Sequence, residues 1–103
     1  MKYQTAPAFE VDFARLNKAQ RAQFMKAVVD PFEPACNAFV ASGAQWPARL
    51  RVKAVHGAPG ILEMTWSFAG ADGRATWEWH TLPDGDPCVR WRRIGTHRIL
   101  SSP

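Results

Sequence analysis

Acid is the scarcer charge in this chain: 9 Asp and Glu stand against 13 Lys and Arg, a formal charge of +4. Cysteine is scarcer still. Its two cysteines, Cys36 and Cys88, are too few and too far apart for a disulfide framework or a metal site, and they fit a reducing, cytoplasmic compartment. No long apolar run is present. The longest uncharged stretches, such as Pro34 to Ala48, contain Asn, Ser, Gln and Pro, so no bilayer-spanning segment and no membrane partner is expected. Met1-Lys2-Tyr3-Gln4 lacks the apolar core of a signal peptide. Zinc-ligand spacing, a P-loop, GxGxxG and a nucleophile elbow are all missing, so neither a metal nor a cofactor is expected. At 103 residues the sequence has room for one domain, 1–103.

What is present is ordered in two parts. Five bases and four acids precede Pro47, whereas eight bases and five acids follow it. All five tryptophans fall at position 46 or later, so the large aromatics share the region of excess positive charge.

The first part has helical period. Phe9, Phe13 and Leu16 form one apolar stripe, and Pro7 suits a first helical position. Asn17-Lys18-Ala19-Gln20 has the form of a capping box, opening a second helix with Phe24, Ala27 and Val28 on its apolar side. Asp30-Pro31-Phe32-Glu33 reads as a capped start of a further helix that buries Phe32, Cys36, Phe39 and Val40, and Ser42-Gly43 stops it. Tyr3 to Ala6 is open to a reading as a short leading strand.

The second part alternates. Leu50 to Val55, Ile61 to Phe68, Arg74 to Trp79 and Cys88 to Arg92 each set apolar residues against polar ones, with turns at 69–73 and 83–87. The expected fold is α+β: N-terminal helices packed on one face of a four-stranded, mainly antiparallel sheet. The other face would carry Arg51, Lys53, Arg74, Arg90 and Arg92 against two acids, Glu63 and Glu78. Two readings stand side by side. One is a solvated face with cross-strand ion pairs, the other a basic surface that faces a ligand.

Of three histidines, His97 has the most suggestive surroundings. Arg92, Arg93 and Arg98 lie within five positions of it, with Gly95 between, just past the end of the last expected strand. Histidine exchanges a proton near neutral pH and arginines hold phosphate oxygens, a combination suited to phosphodiester cleavage.

The order of helical part, Leu50-Arg51-Val52-Lys53, Gly60 to Trp66, Gly73-Arg74-Ala75-Thr76 and Trp91 to His97 resembles the RelE/ParE superfamily of toxin–antitoxin toxins. Arg93-Ile94-Gly95-Thr96-His97 is similar to the Arg-x-Gly-Thr-His segment of the YafQ branch, whose members are ribosome-dependent endoribonucleases. The resemblance implies an active groove on the sheet face away from the helices. It implies His97 as catalytic histidine, Arg93 as phosphate-contacting arginine, and Arg51, Lys53, Arg74, Arg90, Arg92 and Arg98 as RNA- or phosphate-binding residues. Glu63 departs from the pattern, standing about where RelE proper carries an arginine.

The function so implied is metal-free cleavage of mRNA on the ribosome. Its partners would be the ribosome, mRNA and an antitoxin encoded by an adjacent gene, the toxin being a monomer or part of a toxin–antitoxin hetero-oligomer. The alternatives are a ParE-like gyrase inhibitor and a catalytically inert relative that binds antitoxin or nucleic acid.

Overall fold

The computed structural model describes residues 1–68, 70 and 72–103. Strand β1 (Lys2–Thr5) leads into helices α1 (Pro7–Arg15), α2 (Lys18–Ala27) and α3 (Glu33–Ser42), followed by strands β2 (Lys53–Ala54), β3 (Leu62–Thr65), β4 (Gly73–Thr81) and β5 (Pro87–Thr96). The fold is α+β, but the sheet has five strands rather than four, in the order β1-β5-β4-β3-β2. The added strand is β1, which pairs parallel with β5 and makes the sheet mixed. Its Thr5 stands opposite Trp91, and the Ala6 N–H donates to the Trp91 carbonyl at 2.8 Å just before α1 turns away.

Local chemistry explains the helix boundaries. Pro7 occupies the first turn of α1, where no N–H is required. At α2 the capping box is formed: Asn17 Oδ1 accepts from the Gln20 N–H at 2.8 Å, and Gln20 Oε1 accepts from the Asn17 N–H at 2.9 Å. Gly43 closes α3 at φ +67°, a left-handed conformation that suits a residue without Cβ. The expected cap at Asp30 is different. Asp30 is extended (φ −158°), α3 begins only at Glu33, and no side chain caps it. Phe39 and Val40, expected in the core, remain partly exposed.

The helices cover one sheet face, and aromatic rings fill the space between. Trp91 sits centrally, its ring 5.0 Å from Phe32, 5.2 Å from Phe24 and 6.0 Å from Phe9. Trp77 meets Phe32 at 5.4 Å and Trp46 at 5.6 Å. Met64, Ala75 and Ile94 form a cross-strand row on the same face and are buried. The concentration of tryptophan in the second part therefore supplies the core, where truncating one such ring costs about 3–5 kcal/mol. Among the described residues no helix is long and apolar enough to cross a membrane.

Two strands differ from expectation in ways that move site residues. The run Leu50 to Val55 is mostly not strand. Ala48–Leu50 is a 3-10 turn, Arg51 is its left-handed end (φ +49°), and only Lys53–Ala54 pair with β3. Conversely β5 runs on through Thr96, so Arg93 to Thr96, expected in a loop, are strand. Thr76 pairs with Arg93 and Trp77 with Trp91, leaving Arg92 as the extra residue of a β-bulge. The bulge lets two consecutive arginines avoid the core while Trp91 and Ile94 both enter it. Strict alternation could not foresee it.

Candidate functional site

The sheet face away from the helices is built from cross-strand rows. Lys53, Glu63, Thr76 and Arg93 form one row across four strands, and Thr65, Arg74 and Gly95 form the next. This face is not a solvated groove. Glu63, Thr65 and Thr76 are each at most 4 % exposed. The cover is the 3-10 turn His97–Ser101 and the residues after it, which fold back over β4 and β5. Ile99 is buried there, and its Cγ2 lies where a Cβ on Gly95 would come within 3.0 Å. Gly95 thus provides clearance for the turn.

The expected cations divide into engaged and exposed. Arg93 donates from Nε to Asp12 Oδ2 at 2.6 Å, from Nη2 to Asp12 Oδ1 at 3.2 Å and from Nη1 to the Ser102 carbonyl at 3.0 Å. The fork-to-carboxylate geometry raises the Arg93 pKa, chiefly through the Asp12 hydrogen bond. Arg92 donates to Glu78 Oε2 at 3.3 Å and to the Pro103 carbonyl at 3.1 Å. Arg90 Nη1 lies 4.0 Å from Glu78 Oε1, and Arg74 Nε lies 3.7 Å from Glu63 Oε1. Arg51, Lys53 and Arg98 are exposed. Three of the five cations on this face are thus engaged by its two acids, Arg51 and Lys53 are not, and Asp12 on α1 adds an acid for Arg93 alone.

His97 is two-thirds exposed, at the start of the turn. Its Nδ1 is 2.8 Å from Asp72 Oδ1, at the C-terminal side of the β3–β4 turn. The hydrogen bond with His97 holds the Asp72 carboxyl below its ordinary range, and Arg74 adds a smaller effect of the same sign. A 180 Å³ cavity lined in part by Gln20, Gln23, Ser67, Asp72 and Thr96 opens beside the pair. An imidazole held on Nδ1 by a carboxylate presents Nε2 for proton exchange.

Sequence reasoning points to neither Asp72 nor Asp12. Asp72 falls in the expected turn at 69–73, of which Ala69 and Ala71 lie outside the described residues. The pairing of Gly73 with Thr96 is the register that brings Asp72 to His97. Asp12 offers no signal, since a lone acid on an amphipathic helix ordinarily faces water.

Two of the larger concavities bear on the site. One, of 510 Å³, is lined by Lys53, Ala54, Val55, His56, Glu63 and Leu100. The other, of 710 Å³, lies on the helix side, between α1, α2 and β1, and is walled by Phe9, Phe13, Phe24, Val28 and Trp91. It is largely apolar, and Glu10, Arg21 and Glu33 also line it. The described residues contain no group of three or more His, Cys, Asp or Glu able to hold a metal ion. No protein-family model, curated protein or solved structure matches the chain.

Proposed function

We propose that this chain is an RNA-cleaving toxin of the RelE/ParE kind, one half of a type II toxin–antitoxin pair, acting on ribosome-bound mRNA by general acid–base chemistry. The observation that carries the reading is the contact between His97 Nδ1 and Asp72 Oδ1 at 2.8 Å. In this mechanism His97 Nε2 takes the proton of the attacking 2′-hydroxyl or gives one to the departing 5′-oxygen. The 2′-oxygen bonds to phosphorus as the P–O5′ bond breaks, leaving a 2′,3′-cyclic phosphate and a 5′-hydroxyl. Arg98 and Arg51, with Arg74, are the cations for the phosphates. Arg93 acts differently from the role its motif implies: bound to Asp12, it fixes the end of β5 from which His97 projects.

The partner in this reading is an antitoxin from a neighbouring gene. An amphipathic segment of it would fill the 710 Å³ apolar groove on the helix side. The compartment is the cytoplasm, where ribosomes are.

A second reading, an inert relative that only binds, is favoured by the engagement of Arg90, Arg92 and Arg93 by acids and by the carbonyls of residues 102 and 103. The two separate in one experiment. Expression without antitoxin, with cleavage sites mapped on cellular mRNA, gives growth arrest and new 5′-hydroxyl ends if the first reading holds. Normal growth and intact mRNA favour the second.

A further inference from the structure

Glu63 is the most deeply buried acid in the described part of the chain, 4 % exposed, and it lines the 510 Å³ cavity. Among the described residues no hydrogen bond reaches its carboxylate, and its ionic neighbour is Arg74 at 3.7 Å, beyond hydrogen-bond distance. Its oxygens are not sealed from solvent, so they stand at the cavity as acceptors open to a ligand's donors. The rest of the cavity has the parts of a base pocket. Lys53 is the cross-strand partner of Glu63, and His56 and Leu100 contribute an aromatic and an apolar wall. A volume of 510 Å³ is within the range of small-molecule sites, about 300–1,000 Å³.

We infer that this cavity is a nucleobase subsite that selects guanine, with Glu63 as the specificity-determining residue. A carboxylate is an acceptor on both oxygens. Guanine alone among the four RNA bases presents two adjacent donors, N1–H and the 2-amino group, and beside them an O6 acceptor suited to the Lys53 ammonium. Adenine and cytosine each offer one amino donor next to an acceptor nitrogen, which a carboxylate repels. Single-stranded RNA is read in this manner, by stacking and by hydrogen bonds to the exposed base edge. The pocket shares one 3-10 turn with the proposed chemistry, His97 at its start and Leu100 near its end. The inference rests on the RNA-directed reading for its ligand class, but its test does not depend on cleavage.

The test uses the His97→Ala protein, so that RNA survives the measurement. Pentaribonucleotides with a central guanosine, inosine or adenosine between uridines are titrated into the isotope-labelled protein and followed by NMR. The guanosine oligomer is expected to shift the amide signals of Lys53, His56, Glu63 and Leu100. It should bind about tenfold more tightly than the inosine oligomer, which lacks the 2-amino donor, and more tightly again than the adenosine one. In the double variant with Glu63→Gln the guanosine preference disappears. Equal affinity for the three oligomers, shifts elsewhere, or a preference that survives Glu63→Gln overturns the proposal. The comparison of the three oligomers needs no change at Glu63, so it tests the proposal even if that variant misfolds. Guanosine preference in a protein that cleaves no mRNA would overturn the nuclease reading alone.

Discussion

Asp12 on α1 holds both the side chain of Arg93 and the backbone of its neighbour. Its Oδ2 accepts from Arg93 Nε at 2.6 Å and from the Ile94 N–H at 3.1 Å. Strand β1 ends at Thr5, opposite Trp91, so β5 beyond that point has no strand on this edge. The carboxylate takes over where β1 leaves off, satisfying a backbone donor that a further strand residue would have met.

Removing that carboxylate leaves a buried N–H and a partly buried guanidinium without their acceptor. Breaking a buried pair from one side costs about 3–5 kcal/mol, and the partial exposure of Arg93 argues for the lower end or below. Asp12→Ala is therefore expected to destabilise the fold by about 2–3 kcal/mol in urea unfolding. Asp12→Asn keeps an acceptor for Ile94 and should cost less. A loss below about 0.5 kcal/mol for Asp12→Ala, the level of an ordinary surface substitution, would remove the structural role assigned to this pair.

What could be read from the sequence divides along a physical line. Features set by neighbours in the chain were legible: Pro7 opening α1, the Asn17–Gln20 box, the Gly43 stop and the apolar parity of Leu62, Met64, Ala75, Trp77, Val89 and Trp91. Features set by distant segments were not. The bulge at Arg92 depends on the register of β4 against β5. The burial of Glu63, Thr65 and Thr76 depends on residues 97–103 folding back across the sheet. The same holds for the site. His97 stood out through its arginine neighbours, whereas Asp72 comes to it across 25 positions by way of the hairpin, and no local pattern marks it.

The Asp72–His97 contact makes a prediction with a definite sign. Hydrogen bonding from His97 lowers the Asp72 pKa, so the interaction stabilises the ionised carboxylate and is fully present above the ordinary aspartate value of about 3.9. It is lost only as pH falls through the lower folded-state value. In ¹³C NMR the Asp72 carboxyl should titrate below the ordinary aspartate range, and His97→Ala should return its midpoint upward. An unchanged midpoint in the variant would show that the two side chains do not interact in solution.

Kinetics probe the same pair. If His97 carries the proton, His97→Ala should lower mRNA cleavage about 100- to 10,000-fold while the unfolding midpoint stays within the range of a surface change. Asp72→Asn removes one charged hydrogen bond, so a loss of about 10- to 100-fold is expected. Full cleavage by either variant in a translation extract would sink the role given to that residue.

Alkaline conditions should weaken the fold through one buried and one half-buried group. Burial pushes the Cys36 thiol up to about 12, and burial with the nearby Glu33 carboxylate raises the Tyr3 phenol. A raised folded-state value means that stability is complete below the unfolded pKa, about 8.5 for a thiol, and falls as pH rises toward the folded value. The unfolding free energy should therefore decline between about pH 9 and 12, and Cys36→Ala should flatten part of that slope. Native Cys36 should also resist alkylation at pH 8 and react once the protein is unfolded in urea. Rapid alkylation of the folded protein at Cys36 would contradict its burial.

Gly73 shows how packing and site depend on one atom. A Cβ there would fall 2.7 Å from Ser67 Cβ and 2.7 Å from Trp66 Cε2. The indole cannot easily yield, because its Nε1 donates to the Arg74 carbonyl at 2.9 Å and its ring is buried against Phe24. Overpacking of this kind costs about 1–3 kcal/mol, so Gly73→Ala should lower stability by that amount although its backbone is within reach of any residue. The strain falls on the residue next to Asp72, at the register pair Gly73–Thr96 that joins the hairpin to His97. The variant should therefore also weaken the Asp72–His97 contact, seen as an upward shift of the Asp72 carboxyl midpoint in the same NMR titration. Lost stability with an unmoved midpoint would mean that the hairpin end and the histidine adjust independently, and that the site tolerates more slack than a pairing fixed by β-sheet register allows.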